Sequence, residues 1–344
     1  MTTRKRILPP NYMKVVSLFD GISCARVALE RQGFNVDYYA SEIDTNAIKI
    51  SDKNYYSTRL GDVRNVGYIP NVDLLIGGSP CQDLSVAKKG RKGLDGARSG
   101  LFWEYLRILR LLKPRWFILE NVNSMPKKDK DIISSEMGVQ PIMIDAALVS
   151  AQSRKRLFWT NIPISALPVD RGIVIKDIME PIDVSENSHI KFTAKSCSAH
   201  GRSRTGLILL GHIGNTGSQA NRVYSDEGKS VTLSANGGGG GATTGLYEIN
   251  DLKARQKANL RSIDDKAFCL TSTNYKGSQA NGTTLIEQPK NKIRKLTPIE
   301  CERLQSLPDK YTEGVATTNR YKCLGNAFNV EVIAFILSCI PPAS

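Results

Sequence analysis

VVSLFDGISCARVALERQGFNVDYYASEID, residues 15–44, sets two short apolar runs, VVSLF and DYYAS, on either side of a stretch with helical spacing, SCARVALERQGF. Strand, helix and strand in so short a segment make a βαβ unit, whose two strands run parallel because the helix carries the chain back across the sheet. The same alternation continues outward, from about Lys14 to about Pro163, through NAIKISDKNY, DLLIGGS, LFWEYLRILRLLK, RWFILENV, PIMIDAALVSA and RLFWTNI. Repetition on this scale predicts an α/β fold, a doubly wound, Rossmann-like sheet with helices on both faces. The predicted helix 101–113 puts Leu101, Tyr105, Ile108, Leu109 and Leu112 on one stripe, the face that would cover the sheet.

The 344 residues, 41% of them hydrophobic, are enough for a sizeable core, so disorder is not expected. MTTRKRILPP at the amino terminus lacks the apolar stretch of a signal peptide. The longest membrane-like run, VIAFILSCI, is far short of the ~20 residues a spanning helix needs. An intracellular, cytoplasmic protein away from membranes is expected. Seven cysteines without a CxxC pair, and only three histidines, fit neither a disulfide framework nor a zinc site. Most cysteines should be reduced core thiols, and no metal is expected. A net charge of +14 points to a polyanionic partner, most simply nucleic acid.

Between about Arg171 and Lys295 the texture changes to short β-prone pieces, GLILLG, SVTLSA and AFCLTSTN, separated by glycine, serine and asparagine. A glycine run fills residues 237–241, and GSQAN occurs at 217–221 and again at 277–281. The pattern predicts an inserted, smaller, irregular β-rich domain with long loops, giving a division into 1–170, 171–295 and 296–344. Helical patterning then returns. Thr297 as N-cap, Pro298 at the first position and Glu300 in the first turn start one helix, and a last helix covers roughly Val330 to Cys339.

In doubly wound sheets ligands bind at the carboxyl ends of the strands. Gly21, in the turn after VVSLF, suits a cofactor loop, although GxGxxG is absent because Ser23 and Ala25 stand where further glycines would be. Glu42 follows Gly21 by about 20 residues, the interval at which an acid takes a ribose, and Asp62 after the next strand could accept from an adenine amine. Together the two acids suggest an adenosine moiety. Cys81, in GGSPCQDLS, lies at a strand-to-loop junction near basic residues and is a candidate thiolate nucleophile, or else a buried small hydrophobe. Glu120, in FILENV, lies where burial would help it hold a proton for a substrate, or it could serve as a cap or ion-pair partner. Arg154 and Arg156 in QSRKR fall on one face of a strand and could grip a carboxylate, carbonyl or phosphate, or form a solvated edge. After Cys81 come Lys88, Lys89, Arg91, Lys92 and Arg98 against the single acid Asp95, with glycines between them. Such a stretch suits a cationic flap that closes over nucleic acid.

With these residues in place the sequence resembles the cytosine-5 DNA methyltransferases, through FDGISC, SEID, GDVRNV, GGSPCQDLS, ENV, QSRKR, LTPIECERLQSLPD and RYKCLGNAFNV, in that family's order. The first half is similar to the animal de novo DNA methyltransferases; the compact length is more like a bacterial or phage enzyme. The resemblance implies S-adenosylmethionine as methyl donor, held by Phe19, Asp20, Gly21, Ile22, Glu42, Ile43, Asp62, Val63 and Pro80, with Asn326 and Ala327 from the last motif. It implies that Cys81 adds to carbon 6 of cytosine, that Glu120 protonates or hydrogen-bonds ring nitrogen 3, and that Arg154 and Arg156 orient the base. The target base must leave the duplex, with Gln82, Ser85, Lys88, Lys89 and Arg91 at the DNA. Ser23 and Ala327 depart from the commoner glycine and serine of the family. The implied partners are double-stranded DNA and, in a restriction-modification setting, a cognate restriction endonuclease, with the chain acting as a monomer. A transfer-RNA cytosine methyltransferase, a catalytically dead DNA-binding protein and, more remotely, a nicotinamide-linked oxidoreductase are the competing readings.

Overall fold

The computed structural model describes residues 11–80, 99–180, 206–207, 209–212, 222–233, 246–249, 292–294 and 296–342. Cys81 and the cationic flap that follows it, both GSQAN copies, the glycine run and AFCLTSTN lie outside the described residues.

Seven strands form the main sheet: β1 Tyr12–Leu18, β2 Asn35–Ser41, β3 Thr58–Arg59, β4 Leu74–Gly78, β5 Trp116–Val122, β6 Ile142–Asp145 and β7 Lys155–Thr160. Their order is β3-β2-β1-β4-β5-β7-β6, parallel from β3 to β5, with β7 antiparallel to both of its neighbours. The central strands are nearly continuous apolar runs because both of their faces are covered. Val15, Val16, Leu74, Leu75, Ile76, Ile118 and Leu119 are wholly buried.

Alternate side chains feed two cores. On one face Val15, Leu74, Ile76 and Ile118 pack with α1 (Cys24–Arg31) and α7 (Val330–Ser338). The return of the carboxyl-terminal helix to the first βα unit therefore rests on ordinary apolar burial, which stabilises by roughly 25 cal/mol per Å². On the other face Val16, Leu18, Leu75 and Leu119 meet α3 (Phe102–Leu112) and α4 (Lys127–Met137). In α3 the buried residues are Phe102, Tyr105, Leu106, Ile108 and Leu112, so the stripe read from sequence is rotated slightly. Leu101 and Leu109 flank it, partly buried.

Helix α2 (Thr45–Asn54) is capped by Asp44, whose carboxylate accepts from the Asn46 and Ala47 amides. Helix α5 (Pro298–Leu304) starts as the sequence predicts: Thr297 Oγ1 accepts from the Glu300 amide and the Glu300 carboxylate accepts from the Thr297 amide. Helix α6 (Thr317–Asn326) then leads to Asn329, the N-cap of α7. A separate four-stranded sheet has the order β11-β10-β9-β8, from Lys292–Arg294, Leu246–Ile249, Arg222–Ser225 and Leu209–His212. Residues 230–233 run beside 151–154, where the Ser230 amide donates to Ala151 and the Ser153 amide to Ser230. Among the described residues no helix is long and apolar enough to cross a membrane.

Candidate active site

The strand order reverses beside β1, whose neighbours β2 and β4 are the starts of oppositely directed halves. A cavity of about 400 Å³ opens at the carboxyl ends of these strands. That is where an open α/β sheet offers a crevice, and the volume falls in the range of small-molecule sites. Phe19, Gly21, Ile22, Glu42, Ile43, Asp62, Val63, Pro80 and Asn326 line it together with Glu120, Arg154 and Arg156.

The first loop turns sharply. Phe19, Gly21 and Ser23 all have left-handed backbones, with φ of 56°, 59° and 61°. The turn delivers the Gly21 amide to Glu42 Oε2 at 2.8 Å, and Glu42 Oε1 accepts from the Ile43 and Asp44 amides, each at 2.8 Å. Three backbone donors fix a carboxylate that still has lone pairs to accept ribose hydroxyls. Ile43, 67% exposed among the described residues, is an apolar surface on the rim. Asp62 begins the short 3-10 turn Val63–Asn65 and accepts from the Arg64 amide at 3.0 Å. Its pKa is held down at about 2, chiefly by the hydrogen-bonded Arg64 guanidinium, so it is an anionic acceptor at neutral pH. Arg107 clasps the same turn from α3, donating to the Val63 and Val66 carbonyls.

The opposite wall is set by strand register. Glu120 on β5 stands directly across from Phe158 on the antiparallel β7, which places Arg156 at the diagonal position on the same face. Arg156 Nε reaches Glu120 Oε1 at 2.8 Å, both side chains mostly buried. Gly78, in register with Glu120, leaves room for the facing side chains: a Cβ there would lie 2.8 Å from the Phe328 ring and 3.1 Å from Glu120 Oε2, so that one of them would have to shift. Asn121, 1% exposed, donates to Ser79 Oγ at 3.1 Å. It thereby fixes the chain leaving β4 just before Pro80, the lining residue that directly precedes Cys81 in sequence.

Three expected residues do other things. Asp20 does not line the cavity; it is 5% exposed, and its carboxylate accepts from Tyr38 Oη at 2.7 Å and Ser23 Oγ at 2.5 Å. Ala327, also buried, offers its carbonyl to Arg154 Nη2 at 2.9 Å instead of facing the cavity. Arg154 borders the cavity, but its guanidinium also donates to the Leu233 and Gly325 carbonyls. It thus bolts together β7, the 222–233 segment and the end of α6. Arg156 forms the ion pair with Glu120. The sequence pattern marked both arginines but could not divide their roles, because Arg154 precedes β7 and register does not bind it.

Several lining residues were not anticipated, among them Gly78, Ser79, Leu101 and Cys323. The second glycine of GGSPC was the available signal for Gly78. Cys323 is on the wall, yet burial pushes its thiol up to about 12, and burial likewise raises Cys24 and Cys301. These three are poor nucleophiles at neutral pH. Among the described residues no group of histidine, cysteine and acidic side chains could hold a metal ion.

The C-5 cytosine-specific DNA methylase model matches residues 13–341. Similar proteins include the type II methyltransferase M.HhaI of Haemophilus parahaemolyticus, 27% identical over 94% of this chain and 93% of its own length. Another is the orphan methyltransferase M.SPRI of Bacillus phage SPR, 25% identical over 94% and 96%. Among solved structures, a Spodoptera frugiperda DNMT2 mutant superposes with a TM-score of 0.60 at 17% identity, over 95% of this chain and 99% of that one. A putative prophage DNA modification methyltransferase from E. coli reaches 0.54 at 20% identity, over 95% and 98%. These structures share the fold of the seven-stranded sheet. The match along almost its whole length shows that the chain belongs to the C-5 cytosine-specific DNA methylase family, enzymes that move a methyl group from S-adenosylmethionine to carbon 5 of cytosine in DNA.

Proposed function

We propose that the protein methylates a cytosine flipped out of duplex DNA through a covalent bond to Cys81, with Glu120 and Arg156 acting on the base. The observation that carries this reading is the Glu120–Arg156 pair on the wall of a cavity that Pro80, the residue before Cys81 in sequence, also lines. Cys323, the cysteine that lines the cavity among the described residues, is disabled by burial.

The Cys81 thiolate adds to carbon 6, and the electron pair of the 5,6 double bond is drawn toward carbon 5 as Glu120 protonates or hydrogen-bonds ring nitrogen 3. Arg156 holds the Glu120 carboxyl in one rotamer and presents its remaining donors to the base. S-Adenosylmethionine, which Glu42, Asp62 and the Gly21 loop would hold, would supply an electrophilic methyl group for carbon 5, its sulfur–methyl bond breaking to leave S-adenosylhomocysteine. A base then takes the proton from carbon 5, the carbon–sulfur bond breaks and the thiolate is released. The cavity suits that donor because two carboxyl acceptors, Glu42 and Asp62, lie at successive strand ends with the exposed Ile43 at the rim. Glu42→Gln should weaken S-adenosylmethionine binding about tenfold or more, since it removes a charged acceptor of both hydroxyls. Calorimetric titration measures the loss, and unchanged affinity would place the ribose elsewhere.

Residues 171–295 are assigned to target recognition and 296–344 to the return into the catalytic part, in keeping with the packing of α7 on α1. Gln82 is assigned to the space the base vacates, Ser85 to the DNA, and Lys88, Lys89 and Arg91 to phosphates. Neutralising those three cations should reduce the slope of log affinity against log salt by roughly 0.9 for each phosphate that no longer meets a cation. An unchanged slope in salt titrations would remove them from the interface. Duplex DNA is assigned as substrate, with the chain acting as a monomer. The test of substrate class offers duplex DNA and transfer RNA side by side and follows which one gains 5-methylcytosine; gain in transfer RNA alone would overturn the reading.

A further inference from the structure

Ser23 is the N-cap of α1, but its hydroxyl does not cap the helix. A capping serine normally accepts from an amide in the first turn. Here Oγ instead donates to Asp20 at 2.5 Å and lies 2.5 Å from Ser51 Oγ, both partners being buried under the loop. The backbone at Ser23 is left-handed, with φ 61° and ψ 35°, a conformation disfavoured for any residue with a Cβ. The partners beneath the loop span neighbouring elements. Tyr38 of β2 donates to Asp20 Oδ1. Arg59 of β3 donates to Ser51 Oγ at 2.7 Å and sits 4.0 Å from Asp20 Oδ2. The Asp20 amide is bonded to the Ser41 carbonyl, next to Glu42, and Ser41 Oγ donates to Gly61, next to Asp62.

We infer that Asp20, Ser51 and Arg59 are positioning residues for the cofactor loop, holding Ser23 left-handed so that the Gly21 amide and the Glu42 carboxylate keep their relative placement. Asp20 contributes to cofactor affinity from beneath the cavity, without touching the cofactor. Glycine adopts the same backbone without a steric cost, so a glycine at position 23 would need no such network. Dependence on Asp20 should therefore vanish when residue 23 is glycine. The inference rests on the reading of the cavity as the S-adenosylmethionine site.

A double-substitution cycle on the full chain tests it, with S-adenosylmethionine affinity measured by calorimetry and steady-state kinetics on DNA alongside. Asp20→Asn should weaken binding at least about tenfold with serine at 23 and less than about threefold with Ser23→Gly, a coupling within the range for contacting residues. The KM for S-adenosylmethionine should rise by a similar factor, with a much smaller fall in kcat. Should Asp20→Asn not fold, Ser51→Ala in the same two backgrounds takes its place, with an expected loss of about threefold or more that Ser23→Gly cancels. Equal losses in both backgrounds, or none in either, would overturn the inference. An unsubstituted protein that does not bind S-adenosylmethionine would defeat the reading of the cavity itself, and the inference with it.

Discussion

Cys81→Ser should bind S-adenosylmethionine and DNA as the unsubstituted protein does, yet methylate DNA more slowly by at least about a thousandfold. A serine hydroxyl is almost wholly protonated at neutral pH, and its alkoxide is a poorer match to carbon 6 than the polarisable thiolate. Among the described cysteines, burial raises Cys24, Cys301 and Cys323 well out of the reactive range, and Cys339 does not line the cavity. Single-turnover methyl transfer with cofactor and DNA saturating separates chemistry from binding. A variant retaining a tenth or more of the rate would contradict the assignment of the nucleophile.

Glu120→Gln should lower the single-turnover rate by about 10²–10⁴, the usual range for a positioned proton donor. Arg156→Gln should cost less, about 10–100-fold, since it removes the group that orients Glu120 and leaves the carboxyl in place. Because the two side chains form one buried contact at 2.8 Å, the double variant should be slower than Glu120→Gln alone by less than the full Arg156→Gln loss. Strict additivity of the two losses would show that Arg156 acts independently of Glu120. Arg154→Gln should behave differently: its loss frees the Leu233, Gly325 and Ala327 carbonyls, so the thermal midpoint should fall along with activity.

The sheet was legible because continuous apolar runs such as DLLIGG and RWFIL have no other home than strands buried on both faces. The capped start of α5 was legible because Thr297, Pro298 and Glu300 carry the whole signal locally. Helix α4 was not: in KKDKDIISSEM only Ile132, Ile133 and Met137 are apolar, and charge hides the stripe. The antiparallel sense of β7 depends on which strand it pairs with, which no local pattern records. For the same reason the pairing of Arg156 with Glu120 needed the β5–β7 register. Asp20, implied by the resemblance alone, could not be placed from its neighbours in sequence, because Tyr38 and Ser23, whose hydroxyls hold its carboxyl, come together only in the fold. The Glu42 position, by contrast, followed from spacing alone, because a βαβ unit has a nearly fixed length.

Family membership and the proposed chemistry meet in one product. Duplex DNA incubated with the purified chain and S-adenosylmethionine carrying a deuterated methyl group, then digested to nucleosides, should yield 5-methylcytosine bearing the label when analysed by mass spectrometry. Label confined to another base, to another atom of cytosine, or absent from DNA while present in transfer RNA would contradict the assignment of a cytosine-5 DNA methyltransferase.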